Sequence, residues 1–383
     1  MNFSEDAIGT CVAQQGKVVK QILAHRFALI GAGALGSIAL EGLLQRGLCP
    51  ICIGDNNTQL WGKRKKGIPI LPVSEAISQT QGHAFVSVWG AQPGRQLVTV
   101  LNQCKQLCDF PCNIVPFSHL FRFFPDIFLP YYCIGNPLEL AENLNRCKDV
   151  FNSLSDNISR EAYQKFINWL VFQEWNNDML DYDLSMYFPD FIRLSENERF
   201  LDCGAFDGDT LKEFINKTEG AFEHYQAVEP DPENFIRLKT FVTELNKGLQ
   251  SRIQMIHGTV GKNKGEDIIA SLGKQNSKVI DAAEKGMLNS NPHRVSRYTI
   301  DELSDEKQPT FIKLDIEGAE ISALLGGERT INASETKWAV SIYHKQSDAW
   351  EIPSYFLQNS NYQLYVRLAG PEMWDTVFFA IPR

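Results

Sequence analysis

The chain of 383 residues is long for a single hydrophobic core, so we expect two domains. Its content of 44% hydrophobic and 22% charged residues is ordinary for a globular protein and excludes a disordered or fibrous class. The formal net charge of -9 argues against nucleic acid or an anionic membrane surface as a partner.

Targeting and membrane signals are not evident in the sequence. No apolar run approaches the roughly 20 residues that span a bilayer, and the first residues show no signal-peptide pattern. The nine cysteines follow no regular spacing, which suits free thiols in a reducing compartment. We therefore expect a cytoplasmic protein with no membrane partner, and the sequence leaves its oligomeric state open.

The first glycine-rich turn follows a short apolar strand near the start of the chain. Gly31, Gly33 and Gly36 form this turn, and apolar residues at helical spacing come directly after it. The next strand carries Asp55 at its tip, roughly 20 residues further on, as in the dinucleotide-binding pattern. We therefore predict that residues 1–138 form a Rossmann-like domain that recognises a nucleotide or a nucleotide-linked sugar.

The ligand of this first turn stays open between three alternatives. The turn suits NAD(P), it suits a nucleotide-linked sugar, or it is an inherited scaffold without a ligand. The basic run Lys63–Lys66 follows Asp55 and is placed to meet phosphates, although such runs are more often solvated loops. No hydride-transfer constellation follows in the sequence, so we favour nucleotide or substrate binding over redox chemistry.

Two further regions complete the pattern of strands and helices. Residues 139–182 carry apolar residues at helical spacing without strand signals, which is typical of helices that bridge two domains. Residues 183–383 alternate strands and helices again, and the strands at 362–367 and 376–381 are joined by only a short loop. A hairpin there predicts an antiparallel strand that closes an otherwise parallel sheet. Residues 261–295 lack clear periodicity, and we expect a mobile insertion over the site.

A second glycine-rich turn lies between a buried strand and a helix in this second half. Gly204 and Gly208 let the backbone approach a ligand closely, and the start of the helix supplies free N–H groups. Asp202, at the strand end, is placed to accept hydrogen bonds from the ligand's amino group or an ordered water. Glu229, at the tip of the next strand, is placed to hold both ribose hydroxyls.

The ligand that suits this second turn is S-adenosylmethionine. The turn lacks the Gly-x-Gly-x-x-Gly spacing that a pyrophosphate prefers, and an acidic pocket without phosphate suits a sulfonium cation. A glycine turn kept only for packing is the alternative. Further along, the run Lys313–Glu320 places a lysine and three carboxylates at the carboxyl end of a buried strand, where ligands bind in open α/β sheets.

Together these motifs resemble the FkbM family of methyltransferases. Members carry a Lys-x-Asp-x-Glu-Gly-x-Glu run, matched by Lys313–Glu320, and an Asp-x-Gly-Ala-x-x-Gly turn, matched by Asp202–Gly208. They also carry a Glu-Pro pair, seen here at 229–230, and a following strand that ends in a histidine, as in 338–344. The resemblance covers about residues 183–383. The predicted fold class is thus α/β with two Rossmann-like domains, the second a class I methyltransferase sheet with an antiparallel closing strand.

This resemblance implies methyl transfer from S-adenosylmethionine, usually to a hydroxyl oxygen of a sugar or natural product. Glu229 would hold the ribose, and Asp315 would sit beside the reacting methyl. The residues implied to bind the cofactor are Asp202, Gly204, Ala205, Gly208, Glu229 and Asp315. The sequence departs from the family pattern at Phe206, where many relatives have Asn. It departs again at Ile342, where many have Glu, so no carboxylate–histidine pair is expected from that position.

The chemistry is an in-line displacement, and the protein must also remove the proton of the acceptor hydroxyl. His344 is the candidate base, because an unperturbed imidazole titrates near neutral pH. Asp315 or Glu317 would orient it or take the proton instead, and a hydrogen-bonded structural histidine is the alternative. These residues and Glu320 also suit a divalent cation, but backbone spacing cannot show that they converge, so we predict no metal site.

The functional hypothesis is S-adenosylmethionine-dependent O-methylation of a sugar, glycan or natural-product hydroxyl. One alternative is an NAD(P)-dependent nucleotide-sugar oxidoreductase or epimerase that uses the turn at Gly31–Gly36. Another is a protein that senses S-adenosylmethionine without catalysis. The expected partner is a small-molecule or glycan acceptor, and the residues do not specify which one.

Overall fold

The computed structural model describes residues 4–89, 96–173, 185–271, 277–279, 293–359, 361–370, 373 and 375–383. Within them, the strands form a 6-stranded and a 10-stranded sheet, both dominated by parallel pairs. The predicted fold class, α/β with two Rossmann-like units, is confirmed. None of the helices in these ranges has the length and apolar character needed to cross a membrane.

The first sheet is built from short strands in the N-terminal part of the chain. The strands are β1 (Ala28–Ile30), β2 (Cys52–Gly54), β3 (Arg64–Lys65), β4 (Ile68–Leu71), β5 (His83–Val86) and β6 (Asn113–Pro116). The helices are α1 (Glu5–Leu23), α2 (Ala34–Gln45), α3 (Val73–Gln79), α4 (Leu97–Gln106), α5 (Phe117–Phe123) and α6 (Pro125–Phe128). In the order β3-β4-β2-β1-β5-β6, only β3 with β4 is antiparallel. The carboxyl ends of β1, β2 and β5 therefore meet at one edge of the sheet.

Three helices follow the first sheet, and the second and third of them pack onto the second unit. They are α7 (Pro137–Glu142), α8 (Leu144–Ser153) and α9 (Asn157–Phe172). The hydroxyl of Tyr163 on α9 donates to the carbonyl of Ala349 at 2.9 Å, and Arg367 binds Asp156 at 2.8 Å. The domain boundaries proposed from the sequence stay a prediction, and residues 174–182 of the proposed bridge lie outside the described residues.

The second sheet contains the remaining strands. They are β7 (Arg199–Cys203), β8 (His224–Glu229), β9 (Ile253–Val260), β10 (Gly265–Ser271), β11 (Ser277–Val279), β12 (His293–Tyr298), β13 (Phe311–Leu314), β14 (Lys337–Ser341), β15 (Tyr362–Leu368) and β16 (Thr376–Pro382). Its helices are α10 (Asp209–Lys217), α11 (Pro232–Glu244), α12 (Lys247–Gln250), α13 (Ile300–Leu303), α14 (Glu320–Leu325), α15 (Glu328–Ala333) and α16 (Asp348–Leu357).

The order of these strands is β11-β10-β12-β9-β8-β7-β13-β14-β16-β15. From β12 to β14 all neighbours are parallel, whereas β16 runs antiparallel to both β14 and β15. The predicted antiparallel strand is confirmed, and it lies inside the sheet rather than at its edge. Because the winding direction reverses between β7 and β13, the carboxyl ends of these strands border one crevice.

The region 261–295 differs from the expected insertion over the site. Its described residues form strands β10 and β12, which pair antiparallel and extend the sheet beyond β9. Arg297 of β12 binds Asp267 of β10 at 2.6 Å, so a charged pair lies on the extension. Among the described side chains of these two strands only Ile269 and Val295 are buried, so the sequence lacks the apolar alternation of a half-buried strand. Residues 272–276 and 280–292 of this prediction lie outside the described residues.

Buried apolar side chains cover both faces of the second sheet. Phe311 and Ile312 are successive residues of β13, point to opposite faces and belong to different core clusters. The cluster on the Ile312 side extends into the first unit and includes Trp338. On the other side, the rings of Phe200 and Phe311 stack at 4.8 Å. Burial of each such side chain contributes about 2–3 kcal/mol, which holds β7 and β13 together beneath the crevice.

Candidate active site

The second glycine turn packs directly against the end of β13. Gly204 has a φ of +85°, and a Cβ built on it would lie 1.9 Å from the carbonyl oxygen of Asp315. Gly208 has a φ of +96° and immediately precedes α10, with the ring of Phe241 2.9 Å from an added Cβ. A side chain at either glycine would therefore force the turn away from the strand. The two glycines therefore have a packing role, which was the alternative to ligand binding. This packing brings the turn and Asp315 together.

Phe206 occupies a strained position in this turn. Its φ is +48°, in the left-handed region that bulky residues rarely adopt and that Asn adopts more readily. Its backbone N–H donates to Oε2 of Glu229 at 2.9 Å, which helps to hold this conformation. The departure from the family pattern at this position thus has a conformational cost that the sequence did not reveal.

Glu229 lies at the tip of β8 with only 5% of its surface exposed. Its Oε1 accepts the N–H of Asp231 at 2.8 Å, and its Oε2 accepts the N–H of Phe206. Burial raises the pKa of Glu229 to about 7, although these backbone donors favour the carboxylate. Each oxygen keeps lone-pair capacity for another donor, so the carboxylate can still receive ligand hydroxyls.

Asp202 has different partners from those expected. It is fully buried, and its Oδ1 accepts from Nζ of Lys313 at 2.9 Å while its Oδ2 accepts from the hydroxyl of Tyr225 at 2.5 Å. Nζ of Lys313 also donates to the carbonyl of Gly204 at 2.7 Å. Burial lowers the pKa of Lys313, but the charges of Asp202 and Asp315 and the hydrogen bond to Asp202 together outweigh burial, and the pKa is raised. The pair therefore fixes the turn between β7 and β13, and a contact of Asp202 with the ligand stays a prediction.

A group of carboxylates surrounds one imidazole at the ends of β13 and β14. We call Asp315, Glu317, Glu320 and His344 the acidic–histidine cluster. The imidazole is only 3% exposed. Its Nδ1 lies 2.9 Å from Oε1 of Glu320, and its Nε2 lies 3.4 Å from Oδ1 of Asp315 and 3.8 Å from Oε2 of Glu317. Although Ile342 removes one carboxylate partner, Glu320 at the start of α14 supplies another.

The electrostatics of this cluster differ from the expectation of a neutral histidine. Burial lowers the pKa of His344, but Glu320, Asp315 and Glu317 outweigh burial and raise it to about 10. A protonated imidazole has no free lone pair, so it cannot accept a proton from an acceptor hydroxyl. The pKa of Glu317 is raised to about 7, first by desolvation and then by the neighbouring carboxylates, although its side chain is 41% exposed.

Asp315 is held by two tyrosine hydroxyls that the sequence did not single out for this role. Tyr187 donates to Oδ2 at 2.7 Å and Tyr343 donates to Oδ1 at 3.1 Å. Burial raises the pKa of Asp315, but the charges of His344 and Lys313 and the two tyrosine hydrogen bonds together outweigh burial and lower it. Tyr343 could have been noticed beside His344 in the sequence. Tyr187 could not, because 128 residues separate it from Asp315.

Three side chains in the acidic–histidine cluster approach metal-binding geometry. One ligand atom from each of Asp315, Glu320 and His344 lies within 4.8 Å of the other two. The carboxyl of Asp375 lies near this group, and its pKa is raised to about 6 by burial and by the charge of Asp315. Negative charge therefore accumulates on this side of the crevice.

The first glycine turn has the predicted local conformation. Gly31 has a φ of +108°, and an added Cβ would lie 2.7 Å from the carbonyl oxygen of Ser87. A Cβ on Gly36 would lie 1.9 Å from the carbonyl oxygen of Gly31, and Gly33 immediately precedes α2. These contacts explain why glycine is needed where the helix crosses the strand end.

Asp55 and the basic run meet the first turn from the neighbouring strands. Oδ2 of Asp55 accepts the N–H of Ala32 at 2.7 Å, and its Oδ1 accepts the N–H of Asn57 at 2.7 Å. Nζ of Lys65 donates to the carbonyl of Ala32 at 2.5 Å. One lysine of the run Lys63–Lys66 therefore lies on the turn itself.

Known proteins share both the motifs and the fold. Residues 202–364 match the family model described as the methyltransferase FkbM domain, which includes the second turn and the acidic–histidine cluster. No curated protein sequence matches the chain at a significant level. The structure is similar to that of the methyltransferase FkbM from Methylobacillus flagellatus KT, with 21% identity and a TM-score of 0.75. That similarity covers 98% of this chain and 100% of the other, so both sheets belong to the shared fold.

Two weaker similarities involve other methyltransferase structures. A putative caffeoyl-CoA O-methyltransferase from Staphylococcus aureus has 12% identity and a TM-score of 0.32, covering 63% of this chain and 100% of the other. Fibrillarin from Aeropyrum pernix, in complex with natively bound S-adenosyl-L-methionine, has 13% identity and a TM-score of 0.28, covering 51% and 73%. These low scores do not bear on the assignment. The match over residues 202–364 shows that the chain carries a methyltransferase domain of the FkbM family.

Proposed function

We propose that the protein transfers a methyl group from S-adenosylmethionine to a hydroxyl oxygen of a sugar, glycan or natural product. The observation that supports this most directly is the contact between the turn at Gly204 and the strand end at Asp315. It joins a nucleoside-type turn to a cluster of groups that can hold or accept protons. Methyl transfer to a hydroxyl oxygen requires both, because the methyl donor must be oriented and the hydroxyl proton must be removed at the same place.

Cofactor binding is assigned to the second turn. S-adenosylmethionine supplies an electrophilic methyl group, and the protein's part is to orient it. Glu229 accepts bonds from the ribose hydroxyls, and the turn backbone from Gly204 to Gly208 meets the nucleoside. The ionised carboxylate of Asp315 is 24% exposed and favours a sulfonium cation nearby. Ala205 contributes backbone to the turn, and Asp202 acts through its pair with Lys313.

Glu317 is assigned as the group that takes the proton from the acceptor hydroxyl. An acceptor that enters from solvent meets Glu317 first, because its side chain is 41% exposed and that of His344 is only 3% exposed. Both nitrogens of His344 already face carboxylates, so the imidazole orients Asp315 and Glu317 rather than contacting the acceptor. This assignment reverses the roles that the sequence suggested for His344 and Glu317.

Binding and turnover experiments test the proposal. Calorimetric titration should show that the full chain binds S-adenosylmethionine, and mass spectrometry should detect S-adenosylhomocysteine and a methylated product with a hydroxyl-bearing acceptor. A panel of free sugars, nucleotide-linked sugars and phenols, with matched deoxy analogues as controls, identifies the acceptor class. Tight NADH binding without any response to S-adenosylmethionine would overturn the proposal. Cofactor binding without turnover on any acceptor would favour a sensor.

Acceptor recognition is assigned to the first turn. Gly33 is exposed at the start of α2, and the ammonium of Lys65 lies beside it, at 3.3 Å from its carbonyl oxygen. A helix start and a cation together suit a phosphate-bearing acceptor such as a nucleotide-linked sugar. The comparisons give no support to an NAD(P)-dependent enzyme. Lys65→Ala should raise the KM for such an acceptor without changing cofactor affinity, and an unchanged KM would contradict the assignment.

A further inference from the structure

We propose that Asp315, Glu320 and His344 bind a divalent metal cation beside the methyl-transfer site. The inference deepens the proposed function, because the role of the cation in turnover rests on that function. Binding of the cation itself rests only on the geometry of these three residues. From their spacing in the sequence we expected no metal, since spacing cannot show whether side chains converge.

The three ligands come from rigid elements that meet at one point. Asp315 follows β13, Glu320 begins α14, and His344 lies shortly after β14. One ligand atom from each lies within 4.8 Å of the others. Bonds of about 2.0–2.3 Å to a common cation place ligand atoms roughly 3–4.5 Å apart. Small side-chain rotations are therefore enough to bring the three atoms around one cation.

Glu320 provides an independent indication of a missing partner. It is fully buried, and its Oε1 accepts the N–H of Ile316 at 2.9 Å and faces Nδ1 of His344. Its Oε2 is also buried and has no hydrogen-bond partner among the described residues. A buried carboxylate oxygen without a partner is costly, because it has lost water and gained nothing in exchange. A bound cation would satisfy this oxygen.

The charge around the site also favours a cation. Asp315, Glu317 and Glu320 share a single imidazole, and Nζ of Lys313 is already engaged by Asp202 at 2.9 Å. The buried carboxyl of Asp348 and the carboxyl of Asp375 lie near the same group. A divalent cation would offset this excess of negative charge.

The ligand types indicate which cations would bind and what they would do. Two carboxylates and one imidazole suit Mn²⁺ or Mg²⁺, with Zn²⁺ as a competitor. The partly exposed side of Asp315 leaves positions for water or an acceptor oxygen. A cation there would lower the pKa of the acceptor hydroxyl and hold it in place, and Glu317 would then receive the proton. The cation takes the place of the proton on the ligating nitrogen of His344, and that proton is released to solvent. No electrons are transferred, and the cation stays bound to the protein.

Titration of Mn²⁺ into the chelator-treated full chain, without cofactor, tests the site. Loss of the electron paramagnetic resonance signal of free Mn²⁺ reports binding directly. We expect one Mn²⁺ per chain in the micromolar range and a weakening of about tenfold or more in Glu320→Gln and His344→Ala. Glu328→Gln, an exposed carboxylate on α15, is the matched control and should bind as the parent does. Asp315→Asn provides a third variant if either buried substitution unfolds the chain.

The outcomes separate this inference from the proposed function. A folded parent chain that binds no Mn²⁺ in the micromolar range, or that binds it equally in all variants, would overturn the cation site. S-adenosylmethionine binding, measured by calorimetry on the same samples, would then still support the methyltransferase assignment. Conversely, one tightly bound Mn²⁺ that depends on Glu320 supports the site even if the cofactor fails to bind, which would overturn the proposed function alone.

Discussion

The two glycine turns of this protein are built alike. Each follows the first strand of its sheet, and each has a glycine whose Cβ would collide with a neighbouring backbone carbonyl. In each, an acidic residue at the tip of the next strand accepts a backbone N–H of the turn. Asp55 binds Ala32 at 2.7 Å, and Glu229 binds Phe206 at 2.9 Å. Both turns therefore have the same local backbone scaffold.

What differs is the strand on the other side of each turn. Beside the second turn, β13 ends in Asp315 and the rest of the acidic–histidine cluster. Beside the first turn, β5 ends near Ser87. Within the part of the chain that the structure describes, no group of three acidic, histidine or cysteine side chains converges there at metal-binding distance. The two turns therefore differ in the chemical groups that the adjacent strand brings beside them.

The largest effect is expected from removing the proposed proton acceptor. Glu317→Gln keeps the shape of the side chain but cannot take a proton, so kcat should fall about 100- to 1000-fold while the affinity for S-adenosylmethionine stays unchanged. Steady-state kinetics and calorimetry check both values. Asp55→Asn at the first turn should leave kcat within about tenfold of the parent. A comparable loss of kcat in both variants would contradict the assignment of catalysis to the site beside the second turn.

Alanine at the glycines tests the packing of each turn. Gly204→Ala places a Cβ against the carbonyl of Asp315, so the free energy of unfolding should fall by about 2–4 kcal/mol and cofactor binding should be lost. Gly47→Ala is the control, since its φ is +69° but no atom lies within 4 Å of the added Cβ. It should cost only about 1 kcal/mol. Equal losses in urea unfolding would show that packing against β13 is unimportant.

The pH dependence of cofactor binding tests Glu229. Because its pKa is raised to about 7, the carboxylate that accepts two hydroxyls forms only as the pH rises through that value. The affinity for S-adenosylmethionine should therefore fall about tenfold from about pH 8 to about pH 6. Glu229→Gln, which cannot titrate, should bind weakly with a flat profile. A parent profile that stays flat would contradict the assignment of Glu229 to the ribose.

The smallest effect concerns the strained residue of the second turn. Phe206→Asn replaces a bulky residue at a φ of +48° by one that tolerates this conformation. It should raise the free energy of unfolding by about 0.5–1 kcal/mol. Phe206→Leu is the control, because it removes the ring without relieving the backbone. If both variants change stability equally, packing of the ring and not the backbone conformation determines the effect.

Much of the fold follows from local patterns in the sequence. Glycines before helices, acidic residues at strand tips and the hairpin near the C-terminus predicted two Rossmann-like units and an antiparallel strand. The extension of the sheet by β10 and β12 was missed, because these strands bury too few apolar side chains to show a regular period. The assignment of cofactor residues such as Gly204 and Glu229 stays a prediction that binding experiments can test.

The sequence by itself determined where the turns lie and which residue types stand beside them, because these depend on neighbours along the chain. The tertiary structure decided what those residues face. It paired Asp202 with Lys313 across two strands, and it gave His344 a buried partner in Glu320 from another element. The surrounding carboxylates then raise the pKa of His344 to about 10 against the effect of burial. Desolvation and charge act through space between distant parts of the chain, so only the folded structure could show them.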